Sequence, residues 1–269
     1  MAKTIVFSDC DGTLLNSKHE LTVATYRAIK HLQEVGIPFV IISGRSPLEL
    51  YPLLERYQFN CPLICYSGAL ILNEAGEVWQ NVGFSAALAQ KIVSFIELND
   101  LDLTWNTYTA AEWYVRKFDE RVKNAMNIVR ATPKVINGNL AEILPSTLPV
   151  NKIMCICAPG KITAIAAAIK AAFPQLSVTR SSAKLVEIMH KGVNKGRAMQ
   201  LFCRYLHVPL KNTIAFGDSY NDVEMLQTAG KYYLMANAEP ELLAKFPNHT
   251  LSNDADGICA ALKRLNLIN

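Results

Sequence analysis

The sequence predicts an α/β fold: a doubly wound parallel sheet built from both ends of the chain, with an α+β unit inserted between them. Three observations carry this expectation. Short apolar runs without polar alternation, separated by helical patterns, recur towards both ends of the 269 residues. Such runs mark parallel strands buried on both faces. Acidic or glycine-containing clusters follow several of these runs directly, where the carboxyl ends of parallel strands present ligand-binding loops. Between the two ends, alternating and aromatic-rich segments replace the uniform runs.

The elements follow in order. Thr4–Ser8 is an apolar, β-branched strand that Asp9-Cys10-Asp11-Gly12 ends in a sharp loop. A helical pattern runs from about Thr22 to Val35 and stops at Gly36. Strand Pro38–Ile42, helix Pro47–Tyr57 and strand Pro62–Tyr66 come next. A hairpin then joins Ala69–Leu72 to Glu77–Gln80 through Asn73-Glu74-Ala75-Gly76. Helix Ser85–Leu98, strands Leu103–Tyr108, Trp113–Arg116 and Ile153–Ala158, helix Lys161–Phe173, and strands Leu176–Thr179 and Leu185–Met189 suit a compact antiparallel unit. From Gly192 the first pattern resumes with helix Asn194–Leu206, strand Thr213–Phe216, helix Asp222–Ala229, strand Tyr232–Met235 and a helix ending near Leu265. The expected domains are residues 1–82 with 190–269, and the insertion 83–189.

Composition narrows the function. With 51% hydrophobic and 19% charged residues, the chain is ordered and globular. Its net charge of +4 is scattered, with no basic patch for nucleic acid. No apolar stretch reaches the ~18 residues of a membrane span. The N-terminal apolar run is far too short for a signal peptide. Seven dispersed cysteines, Cys10, Cys61, Cys65, Cys155, Cys157, Cys203 and Cys259, fit free thiols in a reducing cytoplasm. Cys155-Ile156-Cys157 is expected to turn its sulfurs to opposite strand faces, which argues against a zinc or redox pair. The five histidines show no ligand spacing. Trp105, Tyr108, Trp113 and Tyr114 read as the core of the insertion rather than as a binding surface.

Four clusters carry chemistry, each beside a plainer reading. Asp9 and Asp11, one residue apart, repel each other unless a cation or a phosphoryl group justifies them; otherwise they are a solvated turn. Ser43-Gly44-Arg45 offers a hydroxyl and turn N–H groups as an anion cradle, or an ordinary helix cap. Lys195 begins a helix, where the dipole already places positive charge, so a bound anion would explain it. Asp218, in Gly217-Asp218-Ser219-Tyr220-Asn221-Asp222, suits an oxygen ligand of Mg²⁺. Asn221 and Asp222 are also ordinary cap residues. Taken together, the clusters occupy one sheet edge and describe a cation site beside an anion site.

The set Asp9-x-Asp11-Gly12-Thr13-Leu14, Ser43-Gly44-Arg45, Lys195 and Gly217-Asp218-x-x-Asn221-Asp222 resembles the haloacid dehalogenase superfamily of phosphatases. The insertion between Ser43 and Lys195 is similar to the C2B cap of its Cof-type subfamily. The resemblance implies that Asp9 is the nucleophile, forming an aspartyl-phosphate, and that Asp11 is the general acid and then the base. It implies Mg²⁺ held by Asp9, the backbone carbonyl of Asp11, and Asp218, with Asp222 orienting from behind. Ser43, Gly44, Lys195, Asn221 and the backbone of Cys10 would hold phosphoryl oxygens, and Arg45 is a further candidate for substrate contact.

The implied reaction is hydrolysis of small phosphorylated metabolites, sugar phosphates or similar monoesters. A phosphomutase is the same-class alternative, and Arg116, Lys117, Arg121, Lys123, Arg130, Lys184 and Lys191 leave it open. A non-catalytic phosphometabolite-binding regulator would lack Asp9 or Asp11, and both are present. Two segments depart from the family pattern: Ser67-Gly68-Ala69 replaces Asn-Gly-Ala, and Met235-Ala236-Asn237-Ala238 replaces Met-Gly-Asn-Ala. They are expected to leave the four clusters untouched, the first bearing on substrate choice.

Overall fold

The computed structural model describes residues 4–129 and 131–268. Arg130, one of the cations named above, lies outside the described residues. The first elements are β1 (Ile5–Ser8), α1 (Val23–Glu34), β2 (Phe39–Ile42), α2 (Pro47–Arg56), β3 (Leu63–Cys65), β4 (Leu70–Leu72) and β5 (Val78–Asn81). The inserted elements are α3 (Ala86–Leu98), β6 (Leu103–Tyr108), β7 (Trp113–Val115), α4 (Glu120–Val129), β8 (Lys134–Val135), α5 (Leu140–Ile143), β9 (Lys152–Cys157), α6 (Ile162–Ala172), β10 (Leu176–Arg180) and β11 (Leu185–His190). The chain closes with α7 (Lys195–Tyr205), β12 (Thr213–Gly217), α8 (Val223–Thr228), β13 (Lys231–Leu234), α9 (Pro240–Lys245) and α10 (Gly257–Arg264).

Two compact units result: Met1–Arg45 with Leu53–Trp79 and Asn194–Asn269, and Ser46–Pro52 with Gln80–Val193. In the first, a seven-stranded sheet runs in the order β13-β12-β1-β2-β3-β4-β5. β13, β12, β1, β2 and β3 are mutually parallel, and β4 returns antiparallel to β3. The central strands are apolar throughout because helices cover both faces, so β1 and β2 are wholly buried. Strands β12 and β1, from opposite ends of the chain, pair in register from Ile5 with Thr213 to Ser8 with Phe216. Local signals set the helix limits. Thr22 caps α1 by accepting the Thr25 N–H, and Gly36, at φ 74°, follows its end. Glu49 Oε2 accepts the Ser46 N–H and hydroxyl where α2 opens, answering one of the helix's unpaired N-terminal donors.

In the second unit, six strands run β10-β11-β9-β6-β7-β8, antiparallel except for the β7–β8 pair. Ala89, Ile92, Val93 and Ile96 of α3 and Ile165 and Ile169 of α6 cover one face, which contributes Trp105, Tyr114, Ile153, Cys155, Cys157 and Ile188. Trp105, Tyr108, Trp113 and Tyr114 are all buried, as expected of core. Cys155 and Cys157 correct the expectation above. Positions i and i+2 of a strand share a face, and both side chains enter the same apolar cluster. All seven cysteines are free and buried.

An ion pair ties this unit together. Glu97 accepts Arg116 Nε and Nη2, each at 3.0 Å, and Trp105 Nε1 at 3.1 Å. Burial pushes its carboxyl up, but the bonds from Arg116 and Trp105 outweigh burial and hold it below the ordinary value. A lowered folded-state value adds stability above the normal carboxylate range and loses it in acid. Glu97→Gln is therefore expected to lower unfolding free energy by about 0.5–1 kcal/mol at neutral pH, the pair being half-exposed. In urea titrations, the difference from wild type should vanish at a pH low enough to protonate Glu97.

Candidate active site

Three adjacent strand ends carry the polar clusters. Asp9 follows β1, Ser43 follows β2, and Asp218 follows β12. Lys195 begins α7, whose cap Asn194 accepts the Arg197 N–H.

Lys195 is completely buried. Its Nζ donates to Asp9 Oδ1 at 2.5 Å and Asp222 Oδ1 at 2.7 Å. Two carboxylates thus answer a cation at the positive end of a helix, so a bound anion is not needed to explain it. Asp222 serves as a cap residue and also as an acceptor for Lys195. Its Oδ2 accepts the N–H groups of Asp218 and Ser219, each at 3.0 Å, in a capping box, while Oδ1 takes Lys195. Asp218 is fixed by Thr13 Oγ1, which donates to Oδ1 at 2.6 Å. Gly12 permits this approach: its φ is 76°, and a Cβ there would stand 2.4 Å from Asp218 Oδ2.

Asp11 faces a different partner. Arg45 Nε donates to Oδ2 at 2.7 Å and Nη2 to Oδ1 at 2.6 Å, a bidentate fork. His19 Nδ1 lies 3.5 Å from Oδ1. Ser43 Oγ accepts the Arg45 N–H. Asn221 is exposed and accepts the Ser219 hydroxyl at 2.6 Å. Cys10 is buried, its thiol pushed up chiefly by burial and then by the Asp11 charge.

Both departing segments touch the clusters, contrary to expectation. Ser67 and Tyr66 donate their N–H groups to the carbonyls of Ser43 and Arg45 at 2.8 and 3.0 Å. Asn237 Nδ2 donates to the Gly12 carbonyl at 2.8 Å and its Oδ1 accepts the Asn253 N–H. Loops that leave neighbouring strands at one edge must share backbone partners. Tyr66 and Ser67 both have positive φ, 51° and 52°, a conformation asparagine adopts more readily than serine. Thr13 stood in the first motif without a role of its own, and His19 was weighed only as one of five histidines without ligand spacing. Their placements beside Asp218 and Asp11 had no local signal.

Burial pushes Asp9 well up, with Lys195 opposing and the charges of Asp222 and Asp218 reinforcing the rise. Burial also pushes Asp218 up, to about 6, against the Thr13 bond. For Asp11, burial is outweighed by the Arg45 bonds and charge, and its carboxyl falls below the ordinary value. Fully ionised, Asp9, Asp11, Asp218 and Asp222 would set four negative charges against two positive ones on Lys195 and Arg45. The two uncompensated charges equal those of one divalent cation.

Oxygens of Asp9, Asp218 and Asp222 lie within 4.8 Å of one another. Both Asp222 oxygens are already engaged, so Asp9 and Asp218 are the carboxylates of this group that could hold a cation. An all-oxygen set with two carboxylates fits Mg²⁺, which keeps waters and substrate oxygens in its remaining positions.

A family model for haloacid dehalogenase-like hydrolases matches residues 6–262. The chain belongs to that family. A Haemophilus influenzae relative is 36% identical to this hydrolase over 259 residues, covering 96% of each chain. The HMP-PP phosphatase of Cronobacter sakazakii is 27% identical over 89% of this chain and 86% of its own. The crystal structure of a haloacid dehalogenase-like hydrolase from Bacteroides thetaiotaomicron superimposes with a TM-score of 0.88 at 26% identity, covering 98% of this chain and 99% of that one. The hydrolase is a phosphatase, as its named relatives are. Among the described residues, no helix is long and apolar enough to cross a membrane.

Proposed function

We propose that this phosphatase is Mg²⁺-dependent and hydrolyses monoesters of small metabolites, sugar phosphates among them, through an aspartyl-phosphate on Asp9. The observation that carries the reading is Asp9 itself: a buried carboxylate at a strand end, bonded to Lys195 and close to Asp218.

Asp9 attacks phosphorus as the bond to the leaving oxygen breaks, and Asp11 gives that oxygen a proton. Asp11 then takes a proton from water, whose oxygen attacks phosphorus and releases Asp9. Because Arg45 holds Asp11 ionised, the first half requires that fork to open when substrate arrives. Ser43, Gly44, Lys195, Asn221 and the Cys10 backbone hold phosphoryl oxygens, with Arg45 passing from Asp11 towards the substrate. Asp9, Asp218 and the Asp11 carbonyl would hold Mg²⁺, with Asp222 orienting them from behind, and the ion would supply positive charge between carboxylate and ester. Residues 83–189 act as the cap.

Three of the cap cations are committed, Arg116 to Glu97, Arg121 to Asp102 and Lys123 to Glu120, which leaves the mutase reading to Lys117, Lys184 and Lys191 among the described residues. The test is release of inorganic phosphate from a panel of phosphorylated metabolites. Release should require Mg²⁺, fall to background with chelator and return on readdition. Rates indifferent to chelation would overturn the metal assignment, and isomerised ester without net release would favour the mutase.

A further inference from the structure

Residues 16–20 form a tight loop ahead of α1, and its main chain is closely bonded. The Asn16 N–H donates to the Glu20 carbonyl and the His19 N–H to the Asn16 carbonyl, each at 2.9 Å. Asn16 Oδ1 accepts the N–H groups of Lys18 and Glu20, each at 3.0 Å. From outside the loop, Asp254 Oδ1 accepts the Ser17 N–H at 2.8 Å, and Asn253 Nδ2 donates to the Leu15 carbonyl at 2.9 Å. Glu20 pairs with Arg56 at 3.1 Å. All of these residues belong to the unit that carries Asp9 and Asp11.

Within this loop His19 takes a left-handed backbone, with φ 56°. Histidine enters that region more readily than most side chains, yet such a conformation persists only where the surrounding structure fixes it. Burial does not hold the ring, whose side chain is 74% exposed. The bonded main chain sets its direction, and Nδ1 comes within 3.5 Å of Asp11 Oδ1.

Arg45 and His19 approach Asp11 unequally. Arg45 binds both oxygens, Nε donating to Oδ2 and Nη2 to Oδ1, whereas His19 approaches Oδ1 alone. When the fork opens for substrate, Oδ1 keeps a neighbour from this pair and Oδ2 loses its own. An ionised carboxylate can only accept, so Nδ1 is the donor in that contact. Oδ1 still accepts when a proton sits on Oδ2, so one bond serves both protonation states. The contact is long, as catalytic hydrogen bonds often are until substrate binds.

We propose that His19 is a positioning residue: its Nδ1–H holds Asp11 Oδ1 once Arg45 turns to the phosphoryl group, leaving Oδ2 to carry the proton to the leaving oxygen. That oxygen takes the proton together with the electron pair of the breaking P–O bond, and Asp11 is left ionised. The inference rests on the phosphatase reading above and names the oxygen through which Asp11 acts.

Two monoesters separate this role from a structural one. The alkoxide of glucose 6-phosphate leaves poorly without a proton, whereas p-nitrophenolate departs without one. With Mg²⁺ present, His19→Gly should lower kcat/KM for glucose 6-phosphate by about 10-fold and for p-nitrophenyl phosphate by no more than about 2-fold, part of the roughly 10²–10⁴-fold that general acid–base catalysis supplies. Glycine suits the left-handed backbone, so the loop keeps its shape. His19→Asn tolerates the same backbone, carries an amide donor and should recover most of the loss. Equal losses on the two esters, no loss on either, or asparagine performing no better than glycine would each overturn the proposal. If wild type leaves both esters intact, the phosphatase reading fails separately. Should either ester resist wild type, His19 is judged by ¹⁵N NMR of its ring. A neutral imidazole protonated on Nδ1 that loses this preference in Asp11→Ala supports the contact, and a preference unchanged by that substitution refutes it.

Discussion

Asp9→Asn should abolish phosphate release, by roughly 10⁴-fold or more, the scale on which removing a covalent nucleophile acts. The same substitution should leave the metal-free protein as stable as wild type, or more so. Burial pushes the Asp9 carboxyl well above its ordinary value, reinforced by the charges of Asp222 and Asp218. A raised folded-state value means that ionised Asp9 works against folding near neutral pH. Asparagine keeps the shape, removes that charge, and still leaves Lys195 bonded to Asp222. Thermal unfolding without Mg²⁺, alongside the phosphate-release assay, separates the two effects. A marked fall in melting temperature would show that the Asp9 charge stabilises the fold rather than serving chemistry at its expense.

Lys195→Met should act in the opposite direction on stability. The lysine side chain is wholly buried and bonds two carboxylates. Burial alone would lower its pKa, but the charges of Asp222 and Asp9 outweigh burial and hold it protonated. Methionine fills a similar volume but leaves both carboxylates buried without that partner. Breaking a buried pair in this way costs about 3–5 kcal/mol. Activity should vanish as well, since the same charge opposes the repulsion between carboxylate and ester. Combining Lys195→Met with Asp9→Asn should recover part of the lost stability, because one of the two stranded charges is then gone. Denaturant unfolding of the two single variants and the double variant measures this coupling. A double variant whose stability equals the sum of the two single effects would deny that Lys195 and Asp9 act as a pair.

The chain made some of this legible and hid the rest for physical reasons. Buried parallel strands write themselves as unbroken apolar runs, so β1, β2, β3 and β12 were readable to within a residue or two. Asp9, Ser43 and Asp218 could then be placed at strand ends. Helix α4 was not read, although Val122, Ala125 and Val129 recur along one face at helical spacing. Strand β8 is two exposed residues and leaves no pattern at all.

The site was legible residue by residue but not pair by pair. Nothing local joins position 11 to position 45, so the Arg45–Asp11 fork emerged only from the folded chain. Nothing local to Lys195 announced its bonds to Asp9 and Asp222, which are remote in sequence. The loop at Tyr66 and Ser67 looked peripheral because its bonds to Ser43 and Arg45 are main-chain bonds. Side-chain identity does not announce those.

The measurement that bears most directly on Asp9 as nucleophile is the mass of the protein quenched in acid within its first turnover. Wild-type protein mixed with excess hydrolysable ester and Mg²⁺ should carry one phosphoryl group, on the peptide that contains Asp9, and Asp9→Asn should carry none. Rapid phosphate release with no adduct on that peptide, or an adduct undiminished by Asp9→Asn, would contradict the account.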